Sequence, residues 1–196
     1  MTKKEITAEY SEIIIFSLYL FAFLLVFLCL PFFILYVNNY NYQLKDIINF
    51  KEYSFLYVVM KIGRLSLHLI LIYLLGAIIH ELLHILPISI YLRKIKNVFT
   101  AGIAPGGVAF YIHCKKPIPL KIYKISLLLP LIIMGIIPVI FGFLFINLPI
   151  FALGIIFIWA ASGDIYIFYL LRNIQPKAKI IDHSEKVGCY VLSEIN

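Results

Sequence analysis

Long apolar runs separated by short polar segments set the pattern of this chain. They lie at residues 13–37, 65–86, 122–146 and 151–171. A helix needs about 20 apolar residues to cross a bilayer, so each run predicts one transmembrane helix. The polar residues 38–54 predict a loop after the first helix, and Pro87 is expected to end the second. The pattern therefore predicts an all-α integral membrane fold with about four transmembrane helices.

The third and fourth runs form a predicted pair. Pro130 and Pro138 interrupt the third run, but membrane helices tolerate proline where neighbouring groups repair the lost backbone bonds. We therefore expect one kinked helix there. Only residues 147–150 separate it from the fourth run, which predicts an antiparallel helical hairpin.

The loop at 98–113, between the second and third helices, has a strand-like pattern. Its two ends are rich in β-branched and aromatic residues, and they flank Ala-Pro-Gly-Gly at 104–107, which is typical of a turn. We expect a short β-hairpin at the membrane surface. Residues 172–196 are predicted to form a cytoplasmic tail, so that 1–196 is a single membrane domain.

The composition favours a membrane protein. Hydrophobic residues make up 63% of the 196 residues and charged residues 14%, with a mean hydropathy of +0.99. Soluble domains average about 25% charged residues, so the sequence leaves no room for a separate soluble domain. The three cysteines lie far apart without a Cys-x-x-Cys pair, and no disulfide is predicted.

The positions of the basic residues predict how the protein is oriented in the membrane. The formal net charge is +7, and 13 of the 17 Lys and Arg residues lie in the termini and in or beside the loop at 88–121. The positive-inside rule then predicts a multi-pass cell-membrane protein with both termini and this loop in the cytoplasm. Because the basic residues flank apolar runs and form no stripe, we expect the lipid bilayer as a partner and no nucleic acid.

The second apolar run contains the sequence His80-Glu81-Leu82-Leu83-His84. Histidines four apart on a helix lie on one face and can bind one metal ion. In zinc peptidases with this spacing, the glutamate takes a proton from the water that the metal activates. The motif therefore predicts His80 and His84 as metal ligands and Glu81 as the catalytic base.

The depth of this motif strengthens the hypothesis. Glu81 is the sole charged residue between Ser66 and Leu92, and an ionisable group near the bilayer centre costs about 2.5–3.5 kcal/mol on insertion scales. The alternative is that the two histidines only hydrogen-bond to neighbouring helices. His68, about 120° away around the same helix, is interpreted as a packing or hydrogen-bonding residue.

A catalytic zinc needs a third protein ligand and one open position. Asp164 is the only acidic residue of the fourth helix, and it lies eight residues before Arg172, much as His84 lies nine residues before Arg93. The two side chains should therefore lie at similar depths, and we predict Asp164 as the third ligand. The small residues 160–163 would allow close helix packing. The alternative is a helix-end charge that reaches the interface.

Two further pairs carry side chains that bind metals: His113-Cys114 in the loop and Asp182-His183 in the tail. Polar surfaces commonly hold such residues, so we interpret both pairs as structural. His113 is the better candidate for a ligand or a transition-state donor.

The chain resembles the bacterial membrane family of putative zincin peptidases over about residues 65–192. The resemblance rests on the His-Glu-Leu-Leu-His helix, Ile112-His113-Cys114-Lys115-Lys116-Pro117, Leu129-Pro130, Ser162-Gly163-Asp164 and Asp182-His183. More distantly, the chain is similar to site-2 proteases, which are intramembrane zinc enzymes.

The resemblance implies a zinc site with His80, His84 and Asp164 as ligands and Glu81 as the base. The site-2 pattern differs at one point, because those enzymes carry an Asp-Gly pair. In this chain a glycine precedes the aspartate and an isoleucine follows it.

These patterns predict a membrane-embedded zinc metallopeptidase that cleaves membrane or membrane-associated proteins near the cytoplasmic face, transmembrane segments among them. An extended substrate could add as a strand to the edge of the 98–113 hairpin. One alternative is a non-catalytic binding or immunity-type protein with a structural metal, which would not need Glu81. The other is a metal transporter, which needs a second polar cluster for alternating access.

Overall fold

The computed structural model describes residues 2–48, 54–93, 97–103, 110–183 and 186–193. The α-helices in these ranges are α1 (Tyr10–Leu24), α2 (Leu30–Ile48), α3 (Phe55–Leu92), α4 (Leu120–Pro130), α5 (Ile137–Leu144), α6 (Leu148–Ala160) and α7 (Ser162–Leu170). Two π-helical segments, Leu25–Cys29 and Leu131–Ile136, join α1 to α2 and α4 to α5, and Leu171–Asn173 forms a 3-10 turn after α7. The protein is mostly helical, as its apolar runs predict.

Strands form two sheets beside the helices. They are β1 (Thr2–Ala8), β2 (Phe99–Ile103), β3 (Phe110–Cys114), β4 (Ile118–Pro119), β5 (Lys179–Asp182) and β6 (Val187–Ser193). β2 and β3 pair antiparallel, which confirms the predicted hairpin, while its turn at 104–107 lies outside the described residues. The other strands form an antiparallel sheet in the order β1-β6-β5-β4. The prediction of an all-α fold with a single hairpin is wrong in this respect.

The four-stranded sheet joins distant parts of the chain. β1 precedes α1, β4 leads directly into α4, and β5 and β6 come from the segment predicted as a tail. Ile118, Ile180 and Cys189 of the sheet are buried in one apolar cluster with Leu171, which follows α7. Both termini and the segment before α4 therefore meet in one sheet. Such a sheet is compatible with the common side of the membrane that the basic residues predict.

The first apolar run extends further than predicted. One candidate membrane span covers Tyr10–Asn39, and α2 continues to Ile48. The predicted loop at 38–54 is therefore wrong for residues 38–48, and 49–53 lie outside the described residues. The Asn39 side chain donates to the Leu35 carbonyl at 2.8 Å, one turn back. An asparagine bonded in this way satisfies its amide without leaving the helix.

Pro87 does not end the second helix, contrary to the prediction. α3 runs through it to Leu92 and ends at Arg93, which has a left-handed φ of 50°. A proline inside a helix removes its own donor and crowds the carbonyl four residues earlier, but membrane helices tolerate it where a neighbouring helix supports the carbonyls nearby. Here the Ser126 hydroxyl of α4 donates to the His84 carbonyl at 2.7 Å.

The third apolar run forms one continuous helical span, whereas the fourth forms two helices. The third is one candidate span, Leu120–Leu144, as predicted, with the π-helical segment lying between Pro130 and Pro138. The predicted fourth helix is instead two helices, α6 and α7, bent by 44° at Ala161. A Cβ atom on Gly142 of α5 would lie 2.6 Å from the Phe151 Cα of α6, so these two helices pack backbone to backbone.

Apolar side chains also cover much of the outer surface of the helices. Within the described residues, three helices are long and apolar enough to span a membrane, or four if the bent pair counts as one span. In the apolar windows of Tyr10–Asn39 and Phe55–Leu92, only 6% of the residues are buried. The rest present an apolar surface, as a helix in contact with lipid does.

Candidate metal centre

The metal-binding motif lies on the second half of α3. The His80 and His84 rings are one helical turn apart, with centroids separated by 4.9 Å. Together with Glu81 they offer donor atoms that all lie within 4.8 Å of one another. These three side chains could therefore hold a metal ion.

Asp164 of α7 lies directly against both histidines. Its Oδ2 atom is 3.1 Å from the Nε2 atom of His80 and 3.4 Å from the Nε2 atom of His84. The side chains are 13%, 15% and 20% exposed for His80, His84 and Asp164, so the cluster is largely shielded from solvent. The fold thus brings together three residues that sequence reasoning grouped as one ligand set.

The spacing of these atoms fits zinc. Four ligands at 2.0–2.1 Å in a tetrahedron lie about 3.3 Å from one another, and the two distances from Asp164 bracket that value. Two imidazoles and one carboxylate also form a donor set that catalytic zinc sites use, with a fourth position left open. Glu81 is the other carboxylate nearby, but it is engaged elsewhere.

Glu81 contacts the hairpin. Its Oε2 atom accepts a hydrogen bond from the Ile112 backbone N–H of β3 at 3.1 Å. Residues of an antiparallel strand point their backbone groups alternately toward and away from the partner strand. The bond to Glu81 shows that the Ile112 amide points away from β2, so the outer edge of β3 faces the metal centre.

Ser126 holds His84 by two hydrogen bonds, a role that the sequence did not reveal. The Nδ1 atom of His84 lies 2.9 Å from the Ser126 carbonyl, to which an Nδ1–H donates. In return the Ser126 hydroxyl donates to the His84 carbonyl. With the proton on Nδ1, the Nε2 lone pair is left to bind a metal. A lone serine in an apolar helix gives no signal of such a role before the helices are packed.

The break at Ala161 positions the third residue of the cluster. Asp164 lies in the first turn of α7, where the partial positive charge of a helix N-terminus favours a carboxylate. A Cβ atom on Gly163 would meet nothing within 4 Å. The interpretation that small residues here allow close packing is therefore wrong for Gly163.

Close packing occurs one turn before the motif instead. A Cβ atom on Gly76 of α3 would overlap the ring of Phe157 on α6, and Phe157 is buried. The missing side chain at Gly76 thus creates the space into which α6 packs. This contact is one point at which α6, which precedes Asp164 in the chain, lies against the helix that carries the motif.

The remaining candidates lie outside the cluster. The Nδ1 atom of His68 lies 2.6 Å from the Arg64 carbonyl of its own helix. His183 lies in the sheet region, where its Nδ1 accepts from the Lys186 N–H and its Nε2 contacts the Tyr190 hydroxyl. His113 does not belong to the metal-binding group among the described residues.

Cys114 and Asp182 are joined to each other. The Cys114 backbone N–H donates to the Asp182 Oδ2 atom at 2.6 Å. Burial raises the pKa of Asp182, although this amide and the Tyr123 hydroxyl, which also bonds to the carboxylate, act to lower the pKa. Burial likewise raises the pKa of the Cys114 thiol. Through the Cys114 N–H, Asp182 contacts β3, the strand whose Ile112 N–H bonds to Glu81.

Comparison with known proteins supports this picture. A family model described as putative zincin peptidase matches residues 73–179, which include the motif of α3 and Asp164 of α7. No curated protein and no solved structure matches the chain significantly. The family implies zinc as the cofactor and a metallopeptidase activity. Because the match covers more than half of its 196 residues, the chain belongs to the family of putative zincin peptidases.

Proposed function

We propose that this protein is a membrane-embedded zinc metallopeptidase that hydrolyses peptide bonds of membrane or membrane-associated proteins near the cytoplasmic face. One observation carries the proposal. A single oxygen of Asp164 contacts the Nε2 atoms of His80 and His84 at 3.1 and 3.4 Å, although Asp164 comes from a different helix. A hydrogen bond between a histidine and a carboxylate has the same length, so it is the donor set that favours a metal. Two imidazoles and one carboxylate are a set that catalytic zinc sites use, and the family match points to zincin peptidases.

The residues divide the chemistry among them. His80, His84 and Asp164 would hold the zinc, which when bound polarises a carbonyl group and makes water more acidic. Glu81 takes a proton from the attacking water and returns it to the amine that leaves. The Ile112 N–H orients the Glu81 carboxylate for this step. A structural metal site would not need a carboxylate held in this way.

The membrane location is part of the same proposal. The apolar, largely exposed surfaces of Tyr10–Asn39 and Phe55–Leu92 support it. The motif lies in the second half of α3, toward the end that leads into β2 and its many basic neighbours. With the positive-inside rule, this end faces the cytoplasm. Transmembrane segments are included among the proposed substrates, because the motif lies within a helix long and apolar enough to span a membrane.

An extended substrate would fit along β3. A helical peptide hides its carbonyl groups in its own hydrogen bonds, so it must unwind before cleavage. On the outer edge of β3, the Ile112 and Cys114 N–H groups are bonded to Glu81 and Asp182. An extended peptide would therefore donate its own N–H groups to the outward carbonyls of this edge. N-methylation of alternate substrate amides should then slow cleavage, while methylation of the intervening amides should not. Equal effects at all positions would contradict strand addition.

The test of the peptidase function compares wild type with Glu81→Gln. Glutamine has nearly the same shape as glutamate but cannot accept a proton, so the variant should keep its metal and lose at least about 100-fold in activity. The measurement is mass spectrometry of new protein N-termini in membranes of cells that express either protein. New N-termini that occur only with wild type support the proposal.

A second measurement controls for the transporter alternative. Zinc flux into vesicles that contain the purified protein should equal the flux into empty vesicles. The proposal is wrong if wild type and Glu81→Gln give the same N-termini, or if the vesicles take up zinc.

A further inference from the structure

Two carboxylates bind the outer edge of β3. Glu81 accepts from the Ile112 N–H at 3.1 Å, and Asp182 accepts from the Cys114 N–H at 2.6 Å. The two donors are two residues apart, so they are consecutive outward-pointing amides of the same strand. Glu81 belongs to the metal centre, whereas Asp182 has no part in the chemistry described so far.

Asp182 is firmly held by the parts of the protein around it. It is the last residue of β5 and lies opposite Cys189 of β6 in the sheet. Cys189 is fully buried. The side chain of Asp182, its cross-strand neighbour, therefore faces the core rather than solvent. The Tyr123 hydroxyl of α4 also hydrogen-bonds to the Asp182 carboxylate. The carboxylate thus links the sheet and α4 to the hairpin.

Apolar packing holds the C-terminal end of the hairpin, since Cys114 and Val98 are buried in one cluster with residues of the four-stranded sheet. Two of the polar contacts at this end, in contrast, lie within the segment itself. Cys114 ends β3, and its thiol lies 3.4 Å from the Lys116 carbonyl, a contact within the same short segment. The Lys115 N–H bonds to the Val98 carbonyl, which is part of the same hairpin. The Asp182 bond instead connects β3 to the four-stranded sheet, and so it fixes the strand relative to the rest of the protein.

We propose that Asp182 is a positioning residue of the peptidase, which holds β3 so that the Ile112 amide reaches Glu81 and the strand edge faces an extended substrate. This inference rests on the proposed function, because it assigns Asp182 to substrate alignment. The hydrogen bonds of Asp182 are to the Cys114 N–H and the Tyr123 hydroxyl, neither of which is a predicted zinc ligand. Its loss should therefore change how substrate binds and leave the metal in place.

The experiment compares wild type, Asp182→Ala and Asp182→Asn as full-length protein in detergent. The alanine variant loses the acceptor of the Cys114 N–H, and we expect kcat/KM on a cleaved peptide to fall about 10- to 100-fold, the effect of leaving a buried donor without its partner. Most of the fall should be a rise in KM. The asparagine variant keeps an oxygen acceptor and should recover part of the loss.

Hydrogen–deuterium exchange and zinc content give readouts that do not need activity. In Asp182→Ala, exchange should rise in peptides that cover residues 110–116 and stay unchanged in β1 and β6, with a full zinc complement. Lys4→Gln is the matched control, because Lys4 is an exposed residue of β1 in the same sheet. This variant should change neither exchange at 110–116 nor KM.

Three results would overturn the inference. They are exchange at 110–116 that is unchanged in Asp182→Ala, exchange that rises equally across the whole sheet, and zinc that is lost together with activity. The last two would mean that Asp182 only stabilises the fold. Because exchange is measured without substrate, an inactive wild type would contradict the proposed function, while the exchange result would still decide whether Asp182 anchors β3.

Discussion

His84 has its two ring nitrogens in different surroundings. Nδ1 faces the Ser126 carbonyl at 2.9 Å, and Nε2 faces the Asp164 carboxylate at 3.4 Å. Histidine ligands commonly use one nitrogen for the metal and the other for a backbone or carboxylate partner that fixes the ring. Ser126 supplies that partner and also bonds to the His84 carbonyl. The orientation of this ligand thus depends on α4 as well as on its own helix.

The buried Asp182 carboxylate should make the stability of the protein depend on pH. Burial raises the pKa of Asp182, and the hydrogen bonds from the Cys114 amide and the Tyr123 hydroxyl only partly offset the shift. The folded protein then keeps a proton that the unfolded chain loses near pH 4. The contribution of Asp182 to stability is therefore largest at low pH and falls as pH rises through the folded pKa.

Asp182→Asn removes this dependence, because asparagine does not ionise. The thermal midpoint of the variant relative to wild type should rise with pH from about 4 upward and then level off above the folded pKa. Thermal unfolding in detergent over this pH range measures the difference. A difference that falls with pH would mean that the ionised carboxylate stabilises the fold.

At the scale of elements, one close helix contact positions the metal centre. Gly76 of α3 leaves space for the Phe157 ring of α6. Gly76 lies one turn before His80, and Phe157 lies shortly before the bend at Ala161 that leads to Asp164. Small residues allow membrane helices to approach in this way. The packing beside the predicted ligands thus depends on Gly76, a residue that binds no metal but leaves room for the Phe157 ring.

Gly76→Ala should weaken metal binding without touching a ligand. The added methyl group overlaps Phe157, and overpacking of this kind costs about 1–3 kcal/mol, part of which should appear as displacement of α6. We expect zinc affinity to fall at least about tenfold, measured by competition with a chelator. The further change Phe157→Leu should restore part of the affinity.

Gly63→Ala is the matched control on the same helix. A Cβ atom on Gly63 would meet nothing within 4 Å, so this variant should bind zinc as wild type does. If both alanine variants weaken binding equally, the contact with Phe157 does not position the site.

At the scale of the whole molecule, the sequence predicts those features that depend on residues close together in the chain. Apolar runs predicted most helical segments, and the spacing of His80, Glu81 and His84 predicted a metal-binding face, because helix periodicity follows from neighbouring residues. The sequence did not predict the four-stranded sheet, because its paired strands β1 and β6 come from opposite ends of the chain. Such pairing depends on contacts between distant residues, as does the role of Ser126.

The sequence also did not predict the bend in the fourth apolar run, residues 151–171, for a related reason. Apolar composition alone does not distinguish one straight helix from two bent ones, and α6 and α7 are both apolar. Gly188 of β6 illustrates the same limit: its φ of 141° and the close approach of the Ile6 carbonyl exclude a side chain. Only the packed structure shows that this glycine is required.

The zinc content of the purified protein tests the central claim most directly. Wild type, His80→Ala, Asp164→Ala and Glu81→Gln are compared after zinc reconstitution and removal of free metal. We expect about one zinc per chain in wild type and in Glu81→Gln, and little in the two ligand variants, since a catalytic site with three protein ligands loses most of its affinity when one is removed. A wild type without zinc, or zinc retained in both ligand variants, would contradict the account.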